Sequence, residues 1–419
     1  MSGFIRNYNA VELQPDHEIL IGRNRIRIDF SKDFSQGEIF ISNDIEQLYS
    51  ASTDSLSYDL REAYVDLFFT NSDLRIGKQI ISWGRSDGSS ILDILSPNDL
   101  SEFLTQDFTD LRSGVTAISY SRYFGSNYLQ IVVNPVFEPN NTPKFNTRWF
   151  PRPVVSTSLP TEIIDSKPEA SLDDLQLATR FAYRSNLNID LDLSFMYWHY
   201  PNPSYFKELQ TSNNNASLKL KEKFTQSLIA GYSSSIKLSD RLFLKSESAY
   251  YSNRNFDYLS NQLQGIDLEN PSPAEQAQII QEFNQNSDGF LKERPWLISM
   301  IGLRYELFDI AISTQFFNEH IFDYNNTILQ EKNFYYSTLQ LQRSFARDTW
   351  EASVFGRYNY NGDDFWLNPE ITYTGIDSFE ASLGSQLFGG KQPVQNYGHL
   401  SFDNFDGNTF GYLKISAYF

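Results

Sequence analysis

The sequence predicts an all-β fold, a transmembrane antiparallel up-and-down β-barrel of about eighteen strands with short turns at one end and long loops at the other. Three observations predict it. Polar and apolar residues alternate with period two in many separate segments. Short and long connections between those segments also alternate. Finally, roughly half of the chain falls in such segments, about twice the share usual for globular domains, while no apolar run reaches the roughly 18–20 residues of a membrane helix.

The alternation is read directly from the residues. Arg23, Arg25, Arg27 and Asp29 oppose Ile26, Ile28 and Phe30, and Glu62 and Asp66 oppose Ala63, Val65, Leu67 and Phe69. Gln176, Arg180 and Arg184 oppose Leu177, Phe181 and Tyr183. In "NIDLDLSFMYW", Asp190, Asp192 and Ser194 oppose Ile189, Leu191, Leu193, Phe195 and Tyr197. Lys245 and Glu247 oppose Leu242 and Leu244, Arg304 and Glu306 oppose Ile301, Leu303 and Tyr305, and Glu351, Ser353 and Arg357 oppose Trp350, Ala352 and Val354. Strands are expected near 3–13, 17–31, 37–50, 58–70, 74–83, 112–123, 127–137, 175–185, 188–198, 223–237, 241–252, 295–307, 309–319, 333–345, 350–360, 365–375, 379–388 and 409–419. Strands of about 10–13 residues match a tilted span of the hydrocarbon layer.

Long loops fall near 84–111, 138–174, 199–222, 253–294, 320–332 and 389–408. Two of them carry helix signals. "SPNDL" at 96–100 offers Ser96 as N-cap and Pro97 at N1, and Ser272, Pro273 and Glu275 form a capping box before Ile280 and Phe283. No break marks a second domain, so residues 1–419 are expected to form one barrel.

Composition narrows the function. The 419 residues include 25 Tyr and 34 Phe, and the net charge of −18 argues against nucleic acid, which needs clustered Lys and Arg. Cysteine is absent, which removes thiolate metal sites and fits an envelope protein. Met1-Ser2-Gly3 leads straight into polar sequence with no signal peptide, so the protein is expected to be either cytosolic or a mature or engineered form whose signal peptide was removed. The sequence has no G-x-S-x-G, H-E-x-x-H or Walker A motif, and His17, His199, His320 and His399 lie far apart, so no enzyme is expected. Neither a cofactor nor a metal is expected.

Two stretches resemble known proteins. The last ten residues, "FGYLKISAYF", place Gly411, Leu413, Ile415, Ala417 and Phe419 on one face and end on an aromatic residue. This resembles the terminal signal by which bacterial outer-membrane proteins are read by their barrel-assembly machinery. Residues 74–103, "LRIGKQIISWGRSDGSSILDILSPNDLSEF", resemble the segment GRQ-x-x-x-WG…D-x-x-NP-x-D of a porin-like outer-membrane barrel family of no settled function. Gly77, Gln79, Trp83, Gly84, Asp93, Pro97 and Asp99 match, and Lys78 and Ser96 depart where Arg and Asn are expected. The resemblance implies a multi-pass barrel in the bacterial outer membrane, in contact with its lipid, with both termini in the periplasm. Some members are associated with RND-type exporters, which implies a place in an envelope export or surface-protein complex.

In a barrel, one face of each strand meets lipid and the other a wet lumen. Asp190 and Asp192 then need no catalytic role, and Tyr197 and Trp198 fall near one membrane interface. The pore-lining and constriction candidates are Arg23, Arg25, Arg27, Arg85, Asp87, Asp93, Asp99, Arg180, Arg184, Asp190, Asp192, Glu247, Arg304, Glu306, Arg357 and Glu370. The Arg23–Arg25–Arg27 ladder reads either as an anion attractor or as a wall balanced by acids on neighbouring strands. Loop 84–111 is expected to fold inward and narrow the channel, because Ile91, Leu92, Ile94, Leu95, Phe103 and Leu104 would be costly to leave wet. The expected function is passive passage of small polar solutes. One rival is an accessory barrel handing lipid or apolar cargo to an export pathway, which needs an inward aromatic track; Phe68, Ile81, Trp83, Trp198, Phe243, Trp296, Phe355 and Trp366 are candidates for it. Others are a membrane-embedded hydrolase and a secreted soluble β protein.

Overall fold

A computed structural model describes residues 1–13, 18–49, 54–88, 90–103, 105–144, 147–150, 160–168, 174–185, 188–212, 215–266, 268, 270–391 and 401–419. The strands are β1 (Ser2–Glu12), β2 (Ile19–Phe34), β3 (Gly37–Tyr49), β4 (Asp54–Phe69), β5 (Ser72–Gln79), β6 (Val115–Phe124), β7 (Asn127–Asn134), β8 (Thr161–Ile164), β9 (Gln176–Arg184), β10 (Ile189–His199) and β11 (Ser204–Ser212). They continue with β12 (Asn215–Lys223), β13 (Gln226–Ser239), β14 (Leu242–Asp257), β15 (Leu291–Leu307), β16 (Ile310–Ile321), β17 (Asn333–Phe345), β18 (Trp350–Asn359), β19 (Asp364–Ile376), β20 (Phe379–Gly390) and β21 (Phe410–Tyr418).

All but β8, β11 and β12 form one 18-stranded sheet in which each strand pairs antiparallel with the next. The sheet closes where β1 pairs with β21, from Phe4↔Tyr418 to Glu12↔Phe410. Closure leaves no strand edge to be satisfied from outside, the condition lipid imposes on a spanning sheet. The chain ends meet there: Gly3 N–H donates to Phe419 O at 2.9 Å, at the barrel end that carries the tight turns. Several of those turns take left-handed backbone, as in Phe308-Asp309 (φ 47° and 64°) and Arg347-Asp348 (φ 60° and 62°). Such turns match the right-handed twist of two hydrogen-bonded strands.

The two faces separate as the alternation requires. On β10, Leu193 and Phe195 are 43% and 64% exposed, whereas Asp192 and Ser194 are buried. Leu228, Ile301, Leu383 and Leu413 continue the exposed apolar surface around the barrel, and Ser233, Glu247, Gln315 and Ser416 continue the buried polar one. This is the reverse of a soluble protein, and it fits a wall with oil outside.

Four expectations need correction. Trp198 does not sit at an interface; it turns inward and packs against Trp83, Met196 and neighbouring apolar side chains. Phe68, near the end of β4, is 48% exposed rather than part of an inner track. Residues 96–100 are not helical, because Ser96 Oγ accepts from Ile81 N–H at 2.7 Å across the loop instead of capping a turn. The loops 138–174 and 199–222 contain a second sheet, with β11 antiparallel and β8 parallel to β12. Leu218 and Leu220 bury one face of that sheet while Lys219, Lys221 and Lys223 occupy the other. The helix α1 (Phe108–Leu111) is one turn, and α2 (Pro273–Gln285) begins at the expected capping box, with Ser272 N–H donating to Glu275 Oε2 at 2.7 Å. Leu104, His17 and His399 lie outside the described residues.

Candidate functional site

The segment between β5 and β6 meets inward-facing side chains on opposite parts of the wall. Its first half is held by β10, β14 and β16. Glu247, buried on β14, accepts Arg85 N–H at 2.9 Å and Ser86 N–H at 3.2 Å on Oε2. Its Oε1 accepts Leu92 N–H at 2.6 Å and Ser90 Oγ–H at 2.7 Å. Arg85, Ser86, Ser90 and Leu92 thus wrap one carboxylate with backbone and hydroxyl donors, an anion nest. The wrap depends on Gly84, whose φ is +99°; a Cβ there would lie 1.7 Å from Ser90 Oγ and 2.7 Å from Glu247 Oε1.

Charge and packing secure the same half. Asp87 accepts from Lys245 Nζ and Ser313 Oγ, both at 2.7 Å. Arg85 reaches Asp190 and Asp192, each at 3.3 Å, and Arg184 pairs with Asp192 at 2.5 Å. The two aspartates are therefore matched by guanidiniums rather than poised as a bare catalytic pair. Arg180 lies over the Trp83 ring at 5.1 Å and donates to Gln130 at 2.8 Å. Ile91, Leu92 and Leu95 pack with Met196, Trp198 and Ile229, and Gly231 leaves the room that Leu92 fills.

The second half is held by β1, β2 and β21. Arg23 pairs with Glu102 at 2.6 Å and Glu46 at 3.1 Å, and Arg25 with Glu46 at 2.5 Å. Arg27 pairs with Asp44 at 2.7 Å and with Asp110 at 3.1 Å. Arg6 and Arg25 also reach Asp110, and Lys414 reaches Asp107 at 3.1 Å and Glu370 at 3.3 Å. The arginine ladder is thus balanced by acids from β3 and from the loop. Burial pushes the Asp110 carboxyl up, but the Arg25, Arg6, Arg27 and Arg61 guanidiniums outweigh it and hold the group below the usual aspartate range. A polar cavity of about 20 Å³, lined by Arg6, Arg23, Arg25, Gln106, Asp107 and Lys414 among others, has room for one water. Beside it Phe103 stacks on Phe405 at 4.4 Å, and Phe108 meets Phe355 edge-on at 5.4 Å.

The other candidates spread out. Asp93 pairs with Arg112 inside the loop, and its carboxyl is raised by burial against the pull of that guanidinium. Asp99 accepts from Ser101 N–H and the Asn141 amide, both within the loops. Arg357 lies 3.8 Å over the Tyr336 ring and Glu370 accepts Tyr412 O–H at 2.9 Å, both inside the barrel. Arg304 and Glu306 share the inward side of β15 but lie toward the tight-turn end, away from the loop. Asp44, Glu46, Glu102, Asp107, Asp110 and Arg6 belong to the site and escape a reading of the sequence, while Lys245 and Lys414 fall on polar strand faces in the sequence without being singled out. The only signal was the Arg ladder's need for acids, which does not say which acids. Among the described residues no cluster of three or more metal-ligating side chains occurs.

The match to known proteins follows the same frame. A family model described as "Protein of unknown function (DUF1302)" matches residues 30–392. The chain belongs to that family. The matched span takes in the whole segment from Trp83 to Arg112 together with Glu247, begins just after the Arg23–Arg25–Arg27 ladder, and stops short of β21. No curated protein matches the sequence. Among solved structures, the chain is similar over its full length to OccAB3 of Acinetobacter baumannii, at 8% identity, 98% coverage of that chain and a TM-score of 0.52. It is likewise similar to OpdK of Pseudomonas aeruginosa, solved with vanillate, at 9% identity, 97% coverage and a TM-score of 0.52. OccK3 (OpdO) of P. aeruginosa gives 9% identity, 94% coverage and a TM-score of 0.52. At these identities the likeness concerns the fold, a closed eighteen-stranded barrel of the outer-membrane porin kind.

Proposed function

We propose that this DUF1302 protein is an outer-membrane channel, not an enzyme, that passes small polar solutes and is narrowed by residues 84–111. The observation that carries the reading is the pairing of an apolar outer wall with an ionic inner one, crossed by a segment fixed to both sides. The ion pairs at Asp110, Asp107 and Asp192 put charge of both signs on the inner side of the barrel, which suits polar or zwitterionic solutes. The long connections face outward from the cell and both termini, with the tight turns, face the periplasm. Gly411, Leu413 and Ile415 on the outer face of β21, with Phe419 just past its end, serve as the assembly signal. Purified protein in planar bilayers tests the reading: stepwise openings are expected, and removal of residues 88–108 should enlarge them. A silent bilayer, or an unchanged step after the deletion, contradicts the channel or the constriction respectively.

A second reading keeps one specific support. Trp149, Phe355, Trp366, Phe388, Phe402 and Phe405 form a buried aromatic cluster inside the barrel, with a second around Trp83, Trp198, Tyr251 and Trp296. These would suit apolar cargo handed to an envelope export complex. Lipid retained through purification and detected by mass spectrometry, together with a silent bilayer, would favour that reading.

A further inference from the structure

The outer wall is not uniformly apolar. Along one cross-strand row, Ala381 on β20 and Ile415 on β21 are followed by Asn7 on β1, Asn24 on β2 and Gln47 on β3. Along the next row, Leu383 and Leu413 are followed by Asn9, Gly22 and Tyr49. Cross-strand partners share a face, and Leu413 and Leu383 are exposed on the outside, so these carboxamides also point outward. They are joined to one another. Asn7 donates to Asn24 at 2.7 Å, Asn24 to Gln47 at 3.1 Å and Asn9 to Asn7 at 2.6 Å. Tyr49 Oη donates to Asn9 at 2.6 Å and accepts from Asn7 at 3.1 Å.

Beside this patch, residues 54–62 of β4 extend past the last β5 pairing, Ala63↔Lys78. Leu56 and Tyr58 stand on the outer face there, 76% and 67% exposed. Leu13, 54% exposed, flanks the patch on the other side.

We propose that the outer face of β1–β4 is the contact surface for a second copy of this chain. This rests on the reading that the outer wall lies in a bilayer. Hydrocarbon offers carboxamides nothing, and the internal ribbon leaves part of their hydrogen-bonding capacity unused. In a bilayer, Asn and Gln drive association through hydrogen bonds across the interface, since apolar groups gain little by leaving lipid for one another. The choice of occupant follows from the chemistry. A carboxamide donates and accepts equally, so the carboxamide row complements its own copy across a two-fold axis, with Asp54, which accepts from Gln47 at 3.4 Å, left at the loop-side edge of the contact. Leu56 and Tyr58 stand proud of the wall and add van der Waals packing beside the carboxamides.

The chain contains no cysteine, so single thiols can be placed cleanly. Asn24→Cys and Leu228→Cys, the second on the exposed far wall at β13, would be treated in native membranes with a short bis-maleimide. Asn24→Cys should yield a product of twice the chain mass, at least tenfold more of it than Leu228→Cys. In lipid nanodiscs, native mass spectrometry should find two chains, and Asn7→Leu with Asn24→Leu should lower the dimer fraction at least tenfold while the gel shift on heating shows the barrel intact. Equal cross-linking of the two thiols, or one chain per nanodisc in the wild type, overturns the proposal. Either readout is independent of conductance, so its failure leaves the channel reading standing.

Discussion

Glu247→Gln isolates the latch at the start of the segment between β5 and β6, which we propose narrows the channel. In the wild type, two donors converge on each carboxylate oxygen: Arg85 and Ser86 N–H on one, Leu92 N–H and Ser90 Oγ–H on the other. Glutamine keeps one acceptor oxygen and replaces the other with an NH2 group that faces donors. Two hydrogen bonds to a charged group are lost, at about 1.5–3 kcal/mol each. Removing a buried charge recovers part of this, leaving a net loss of about 3 kcal/mol, or roughly 150-fold in the opening equilibrium of the segment. Native-state hydrogen exchange at the Leu92 amide reads that equilibrium directly. Protection there should fall about 100-fold, while amides in the β14–β15 ladder keep theirs. A Leu92 amide as protected as in the wild type would refute the role given to Glu247, because two of the four bonds that hold the segment would then be dispensable.

Further perturbations test neighbouring parts. Gly84→Ala should act like Glu247→Gln, because the added Cβ meets Ser90 and Glu247 at a positive φ; the heat-shifted band on a gel should remain, and unchanged Leu92 exchange would contradict the steric account. The Asp110 cage should be insensitive to mild acid. Its folded-state pKa is depressed, so its stabilisation is present above the usual aspartate value of 3.8 and is lost as pH falls through the still lower folded value. Conductance should therefore be flat between neutrality and that value and rise only below it; a rise near neutral pH would place the latch elsewhere. Phe195→Lys puts a cation on the lipid face and should cost about 2–4 kcal/mol at mid-depth, read as a lowered urea midpoint for unfolding from vesicles. Ser194→Lys, on the inner face, should cost less.

Much of the wall was legible because a two-residue period needs no tertiary information. Each of the eighteen expected segments overlaps a barrel strand, and Asp192 and Leu193 already show which face is which. The second sheet escaped notice although "LKLKEK" at 218–223 alternates as cleanly as any barrel strand. Its position inside a long connection outweighed its pattern. The failed helix at 96–100 shows the limit of local capping rules, since Ser96 found a better donor in Ile81 N–H across the loop. For the site, sequence located the loop and many of the wall residues that hold it, among them Arg23, Asp192 and Glu247. It could not join Asp110 to Arg25 and Arg27, about eighty residues away, or Asp107 to Lys414 at the other end of the chain. Barrel closure makes those contacts, and only the register of eighteen strands fixes them.

The central claim is that alternate side chains of the wall divide between lipid outside and water inside. Single cysteines from Leu191 to Phe195 on β10, each carrying a spin label in reconstituted vesicles, test it most directly. Labels at positions 191, 193 and 195 should respond to oxygen dissolved in the bilayer, and those at 192 and 194 to a water-soluble nickel complex. The same response at all five positions, or the opposite alternation, would contradict the account.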